Sequence, residues 1–222
     1  MEVNELQKYL LANRIQSSSN SVSLIKKLEN LELPSNVKCI KKEVAEIDHF
    51  KIVPENYKIA IIDFEGSPVF LCGILIHNSI RIYYIEKIVD KIDLYLTIFK
   101  ILKVACDLIF FSFSDHERIE LLNLYRYLRV QEIDVSEFEF IITFPIVNLQ
   151  KNNSKFESLQ EAIYSLNSKA TAFTGDALFR NNKLVNTLFT YRKFDEVISH
   201  NINCLLNGAL LFLKRWYKNY KL

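Results

Sequence analysis

The sequence predicts an α/β fold on a mixed sheet, with three antiparallel strands first, parallel strands after them, and helices on the sheet faces. Three observations predict it. From Lys58, the β-rich runs "KIAIIDFE", "PVFLCGILIHN" and "IRIYYIE" are separated only by "GS" and "S", the spacing of an antiparallel meander. Beyond Glu86 the apolar period alternates between helix and strand, which builds parallel pairs through helical crossovers. Finally, 222 residues, 50% of them hydrophobic and with a net charge of +2, supply a full core for one medium domain and exclude global disorder.

The elements follow in order. Residues 1–55 read as a small helical appendage, because "NELQKYLLANRI" and "SVSLIKKLENLEL" carry helical spacing on either side of the linker "QSSSNS". Residues 56–222 read as the main domain. After the meander, "DKIDLYLTIFKILKVAC" is a helix, "DLIFFSFS" a short buried strand and "DHERIELLNLYRYLRV" a second helix. "EFEFIITF" alternates like a strand, "SLQEAIYSL" is a short helix, and residues 192–220 form a long one. "GDALFRNNKLVNTLF", Gly175 to Phe189, reads as an irregular excursion.

Several classes are set aside by composition. Every apolar segment is interrupted by charge before about 18 residues, so no membrane span is expected. The first residues are acidic and polar, unlike a secretory leader, and a cytoplasmic protein is expected. Cys39, Cys72, Cys106 and Cys204 stand far apart with no CxxC pair, and read as buried reduced thiols rather than zinc ligands or disulfides.

The chemistry-bearing residues fall in three places. Asp63 and Glu65 interrupt the most apolar run of the chain. Two apart on a strand, they project from one face, and unpaired buried carboxylates cost several kcal/mol. Two hard oxygen ligands together begin a magnesium or manganese site; an acidic pair at a solvated turn is the plain alternative. Asp115, His116 and Glu117 stand at a strand-to-helix junction, where open α/β sheets place their sites. There Ser114-x-x-Glu117 is also a helix capping box, and Asp115 suits the first turn. On the last helix His200, Asn203 and Asn207 share a polar stripe, which by itself reads as a solvated face.

Taken together these places resemble the three motifs of the DEDD exonuclease superfamily, whose fold is ribonuclease H-like. More closely they resemble the ribonuclease H-like domain found with RecB-family nucleases. "FKIVPENYKIAIIDFEGSP" is similar to its first motif, "FFSFSDHERIELL" to its second, and "SHNINCLLNGALLFLKRW" to its last, a tyrosine-asparagine-x-x-aspartate helix before a tryptophan. The resemblance spans about residues 50–217. It implies a divalent-metal-dependent 3′-5′ exonuclease acting on DNA or RNA, on single strands or ends, with Mg2+ or Mn2+ held by Asp63, Glu65 and one of Asp115 or Glu117. Asn203 is expected where the last motif has its aspartate and Ser199 where one subgroup has its tyrosine, while Asn148 replaces another aspartate. His116 or His200 is offered as a water-orienting group, each otherwise a surface histidine. Asparagine at the last motif withdraws one negative charge and cannot act as a base.

A second reading keeps the fold without the activity, as a nucleic-acid-binding or protein-interaction module. Its working surfaces would be the amino-terminal helices, facing a protein partner, and the tail "LKRWYKNYKL". In that tail Lys214, Arg215, Trp216 and Lys218 mix phosphate contact with base stacking.

Overall fold

A computed structural model of the protein describes residues 21–44, 58–150, 158–164, 178, 181–213 and 215. Among these, six strands form one sheet: β1 (Val37–Glu43), β2 (Ile59–Glu65), β3 (Leu71–Ile76), β4 (Ser79–Ile85), β5 (Ile109–Ser112) and β6 (Ile146–Asn148), in the order β1-β4-β3-β2-β5-β6. The helices are α1 (Ser21–Glu29), α2 (Lys91–Val104), α3 (His116–Val130), α4 (Leu159–Tyr164), α5 (Val185–Thr190) and α6 (Phe194–Phe212).

The expected mixed sheet is present. β2, β3 and β4 form an antiparallel meander, with Asp63 opposite Gly73 and Gly73 opposite Ile82. β5 then lies parallel to β2, with Ala60 opposite Phe110, and β6 parallel to β5. All six residues of β3 are buried, so the strand reads as a continuous apolar run rather than an alternating one. The β3–β4 turn is His77-Asn78 alone, with His77 at φ 53°.

Strand alternation assigns the two faces. Gly73 touches α6, while Arg81, opposite Ile74, points the other way and reaches Glu29 of α1 at 3.4 Å. α6 lies across β2, β3 and β5, and α2 packs on β1 and β4 beside α1 and α3. The α6 backbone rides close to the sheet: a Cβ at Gly208 would stand 2.9 Å from Ile61 Cγ2.

Three expectations are corrected. "EFEFIITF" is not a strand but part of a 3-10 helix, Ser136–Thr143, and the sheet strand is the following Ile146–Asn148. Its E-F-E-F alternation concealed a stronger period of three: Val135, Phe138, Ile141 and Phe144 are all buried, as a three-residue turn requires. Within residues 1–55, Ser21–Glu29 is helical as read, but Val37–Glu43 is an edge strand of the sheet, antiparallel to β4. Lys38, Lys41 and Lys42 on that strand are the charges that protect an open sheet edge. "NELQKYLLANRI" lies outside the described residues. The supposedly irregular Gly175–Phe189 contains a 3-10 turn, Asn182–Leu184, leading into α5. None of the described helices is long and apolar enough to cross a membrane.

Candidate functional site

A cleft of about 470 Å³ opens where β2 and β5 end, lined by Asp63 and Glu65 from β2, Glu117 from α3, Asn186 from α5, and His200 and Cys204 from α6. Each element delivers its residue for a local reason. β2 ends at Gly66, whose φ of +95° favours glycine and turns the chain away immediately after Glu65. The next residue is held by α5, where the Ser67 N–H donates to Asn186 Oδ1 at 3.0 Å. β5 passes through Ser112, whose hydroxyl donates to the Ser114 carbonyl at 2.6 Å, into the first turn of α3.

Asp63 and Glu65 do face the same side, and they face α6. The Asn201 side-chain amide donates to Asp63 Oδ2 at 2.7 Å and lies 3.4 Å from Glu65 Oε1. One neutral donor thus bridges two carboxyl groups. The Asn201 carbonyl oxygen is pressed against Gly73, directly opposite Asp63 on β3; a Cβ at that glycine would fall on Asn201 Oδ1. Glycine at 73 is what lets α6 bring an amide to the carboxylates.

Of the two acids at the start of α3, Glu117 lines the cleft and Asp115 does not. The capping box is not made: Asp115 is the N-cap, Ser114 Oγ accepts from the His116 N–H at 3.1 Å in a local turn, and the Glu117 carboxyl turns into the cleft. Glu117 is buried, 5% exposed, and its Oε2 has no hydrogen-bond partner. Asp115 is exposed and lies 3.7 Å from Arg118 on the surface.

Electrostatics follow from this crowding. Burial pushes the Glu117 carboxyl up to about 8, and the nearby Asp63 adds to it; its own backbone N–H, then the Ser112 hydroxyl, pull down too weakly to cancel. Asp63 is raised well above the usual carboxylate range, by burial first and by Glu65 second; His200, then Asn201, oppose that shift. Carboxyls packed this way hold protons unless a cation replaces them.

On α6 the expectations need correction. Asn201, not Asn203, hydrogen-bonds Asp63, because two positions along a helix turn a side chain to nearly the opposite side. The supposed solvated stripe is not solvated: His200 is 2% exposed, and Asn207 Oδ1 is buried without a hydrogen-bond partner. Ser199 is the exposed residue of that turn, and His116 is exposed at the cleft rim. His200 Nε2 lies 3.7 Å from Glu65 Oε1 and 3.8 Å from Cys204 Sγ. Cys204 was missed by sequence reading, although His200-x-x-x-Cys204 is the i, i+4 spacing that places two ligands on one helix face.

In the carboxyl-terminal tail, Arg215 donates from Nη1 to the Leu149 carbonyl at 2.7 Å, which ties the end of α6 to the segment after β6. Lys214, Trp216 and Lys218 lie outside the described residues. Asn148 accepts from the Gln150 N–H at 2.7 Å and so shapes its own turn.

No family model, curated protein or solved structure matches the chain. Its chemistry therefore rests on the cleft. Asp63, Glu65 and Glu117 offer hard oxygen ligands from two elements, and the partnerless Glu117 Oε2 is the atom a hard divalent cation would satisfy.

Proposed function

We propose that the protein is a ribonuclease H-like, divalent-metal-dependent phosphodiester hydrolase: a 3′-5′ exonuclease of the DEDD kind acting on DNA or RNA ends. One observation carries this reading. Asp63, Glu65 and Glu117, from a central strand and a helix start, line one cleft, and a buried carboxylate oxygen there has no protein partner. The antiparallel meander followed by parallel strands, with the acids at the end of its first strand, is the element order of such folds and supports it.

Asp63, Glu65 and Glu117 would hold Mg2+ or Mn2+. Bound there, the ion supplies Lewis-acid polarisation of a phosphate and an activated water. The chain's own groups do the rest. Asn201 holds Asp63 through its amide and reaches Glu65, and α5, tied to the Ser67 turn, forms part of the cleft wall.

The last motif is better placed one residue later than the sequence suggested. Setting tyrosine-asparagine-x-x-aspartate on His200-Asn201-Ile202-Asn203-Cys204 puts Asn201 beside Asp63, His200 beside Glu65, and Cys204 beside His200. The acid of the pattern is then replaced by Cys204. That substitution favours the second reading, a module that binds nucleic acid without cutting it. Degradation of end-labelled single-stranded DNA and RNA with Mn2+, Mg2+ or EDTA, alongside Asp63→Ala, separates the two. Metal-dependent shortening lost in the mutant supports the hydrolase. Intact substrate with a folded wild-type protein supports the binding module.

A further inference from the structure

The α6 side of the cleft has a different chemistry from its carboxylate side. Glu65, His200 and Cys204 each present one donor atom, and the three atoms lie within 4.8 Å of one another. His200 Nε2 is 3.7 Å from Glu65 Oε1 and 3.8 Å from Cys204 Sγ. Tetrahedral zinc, with arms of about 2.0–2.3 Å, sets its ligand atoms about 3.3–3.8 Å apart. The geometry points to a thiophilic metal site, and we propose that Glu65, His200 and Cys204 bind Zn2+ through one carboxylate, one imidazole and one thiolate.

Three features argue for a metal over a catalytic triad or a packed polar cluster. In a Cys-His-acid triad the imidazole uses one ring nitrogen for the thiol and the other for the acid. Here a single nitrogen, His200 Nε2, faces both groups, which is a ligand's arrangement around a shared centre. The donors also come pre-positioned: His200 and Cys204 are one turn apart on a buried helix, and Glu65 stands across from them at the end of a central strand. All three line the cleft, so an ion held by them would be reached from it. Glu117 Oε2, buried and partnerless, lines the same cleft.

Ligand type then selects the ion. A thiolate and an imidazole favour zinc or cobalt over magnesium, which requires oxygen ligands and near-octahedral geometry. Cys204 binds as the thiolate, and its proton passes to solvent. This inference assigns Glu65 to a thiophilic ion rather than to Mg2+ or Mn2+, and it does not rest on cleavage, because the ion is read directly.

Cobalt(II) is the probe. Titrating Co2+ into the metal-stripped full-length chain should give a thiolate-to-cobalt charge-transfer band in the near ultraviolet at one equivalent. Zn2+ should abolish the band, and excess Mg2+ should leave it. Cys204→Ser should lack the band, and Cys106→Ser, at an exposed position, should keep it. Glu65→Gln and His200→Gln, which retain the thiol, should weaken Co2+ binding by at least the roughly tenfold that loss of an outer-shell partner produces. Circular dichroism establishes that each protein is folded. The proposal is overturned if folded wild type gives no band, if the band survives in Cys204→Ser, or if Glu65→Gln and His200→Gln bind Co2+ as tightly as wild type. Failure of nucleic-acid cleavage would leave all of these readouts unchanged.

Discussion

Asn201 on α6 donates its amide to Asp63 on β2 at 2.7 Å, across 138 positions of sequence, and the contact exists because residue 73 has no side chain. Gly73→Ala should therefore act on the site and not only on packing. The new methyl must displace Asn201 and press on Leu205, at a cost of about 1–3 kcal/mol by analogy with overpacked cores. Urea unfolding measures that loss. Mn2+ binding should weaken in parallel, because the amide that bridges the carboxylates is moved. Binding at wild-type strength in a destabilised Gly73→Ala would show that Asn201 does not position the acids.

Glu117 gives a pH dependence with a definite sign. Its carboxyl is raised from an ordinary value near 4.5 to about 8, so between these limits the folded protein holds a proton that the unfolded chain has released. Its contribution to stability is complete below pH 4.5 and is lost as pH rises through 8. Asp63 is raised as well and acts in the same direction. In EDTA the protein should lose about 2–4 kcal/mol over this range. Divalent cation should restore most of that loss at pH 8, since the ion replaces the proton. A flat stability profile in EDTA would contradict the burial of the Glu117 carboxyl with Oε2 unpartnered.

Cys204→Asp tests where the last motif lies. Restoring a carboxylate at this position should raise Mn2+-dependent cleavage by about tenfold or more, because catalysis at such sites rests on charge. Asn203→Asp, two positions from the amide that meets Asp63, should leave the rate near that of wild type. The reverse result would return the motif to Asn203.

Away from the cleft, Arg81 is 3% exposed and pairs with the half-exposed Glu29 at 3.4 Å, while its Nη1 has no partner. Glu29→Ala should cost about 1–3 kcal/mol by leaving a buried charge uncompensated, and Arg81→Met should cost less. Thermal unfolding of the two variants checks this order.

What was legible in the sequence followed from period and position. The meander, the later parallel strands and the pairing of Asp63 with Glu65 all follow from strand alternation and short connections. "EFEFIITF" failed because its residue types alternate while its burial repeats every three residues. Val37–Glu43 was hidden because an edge strand rich in lysine lacks a strong apolar signal. His200 looked like surface because one helix cannot reveal that a second layer, reached through Gly73, buries that face. Choosing Glu117 over Asp115 required the observation that Glu117 is buried on the cleft while Asp115 sits exposed at the helix start.

The central claim is that the carboxylate cleft is a divalent-cation site. Its most direct test is Mn2+ binding, followed by the loss of the free-ion paramagnetic resonance signal, in wild type and in Glu117→Gln at pH 8. The account predicts that wild type binds Mn2+ and that Glu117→Gln binds it far more weakly, while the variant is about 2 kcal/mol more stable than wild type in EDTA because a buried charge is gone. Folded wild type that takes up no Mn2+, or a Glu117→Gln variant that binds it equally well, would contradict the account.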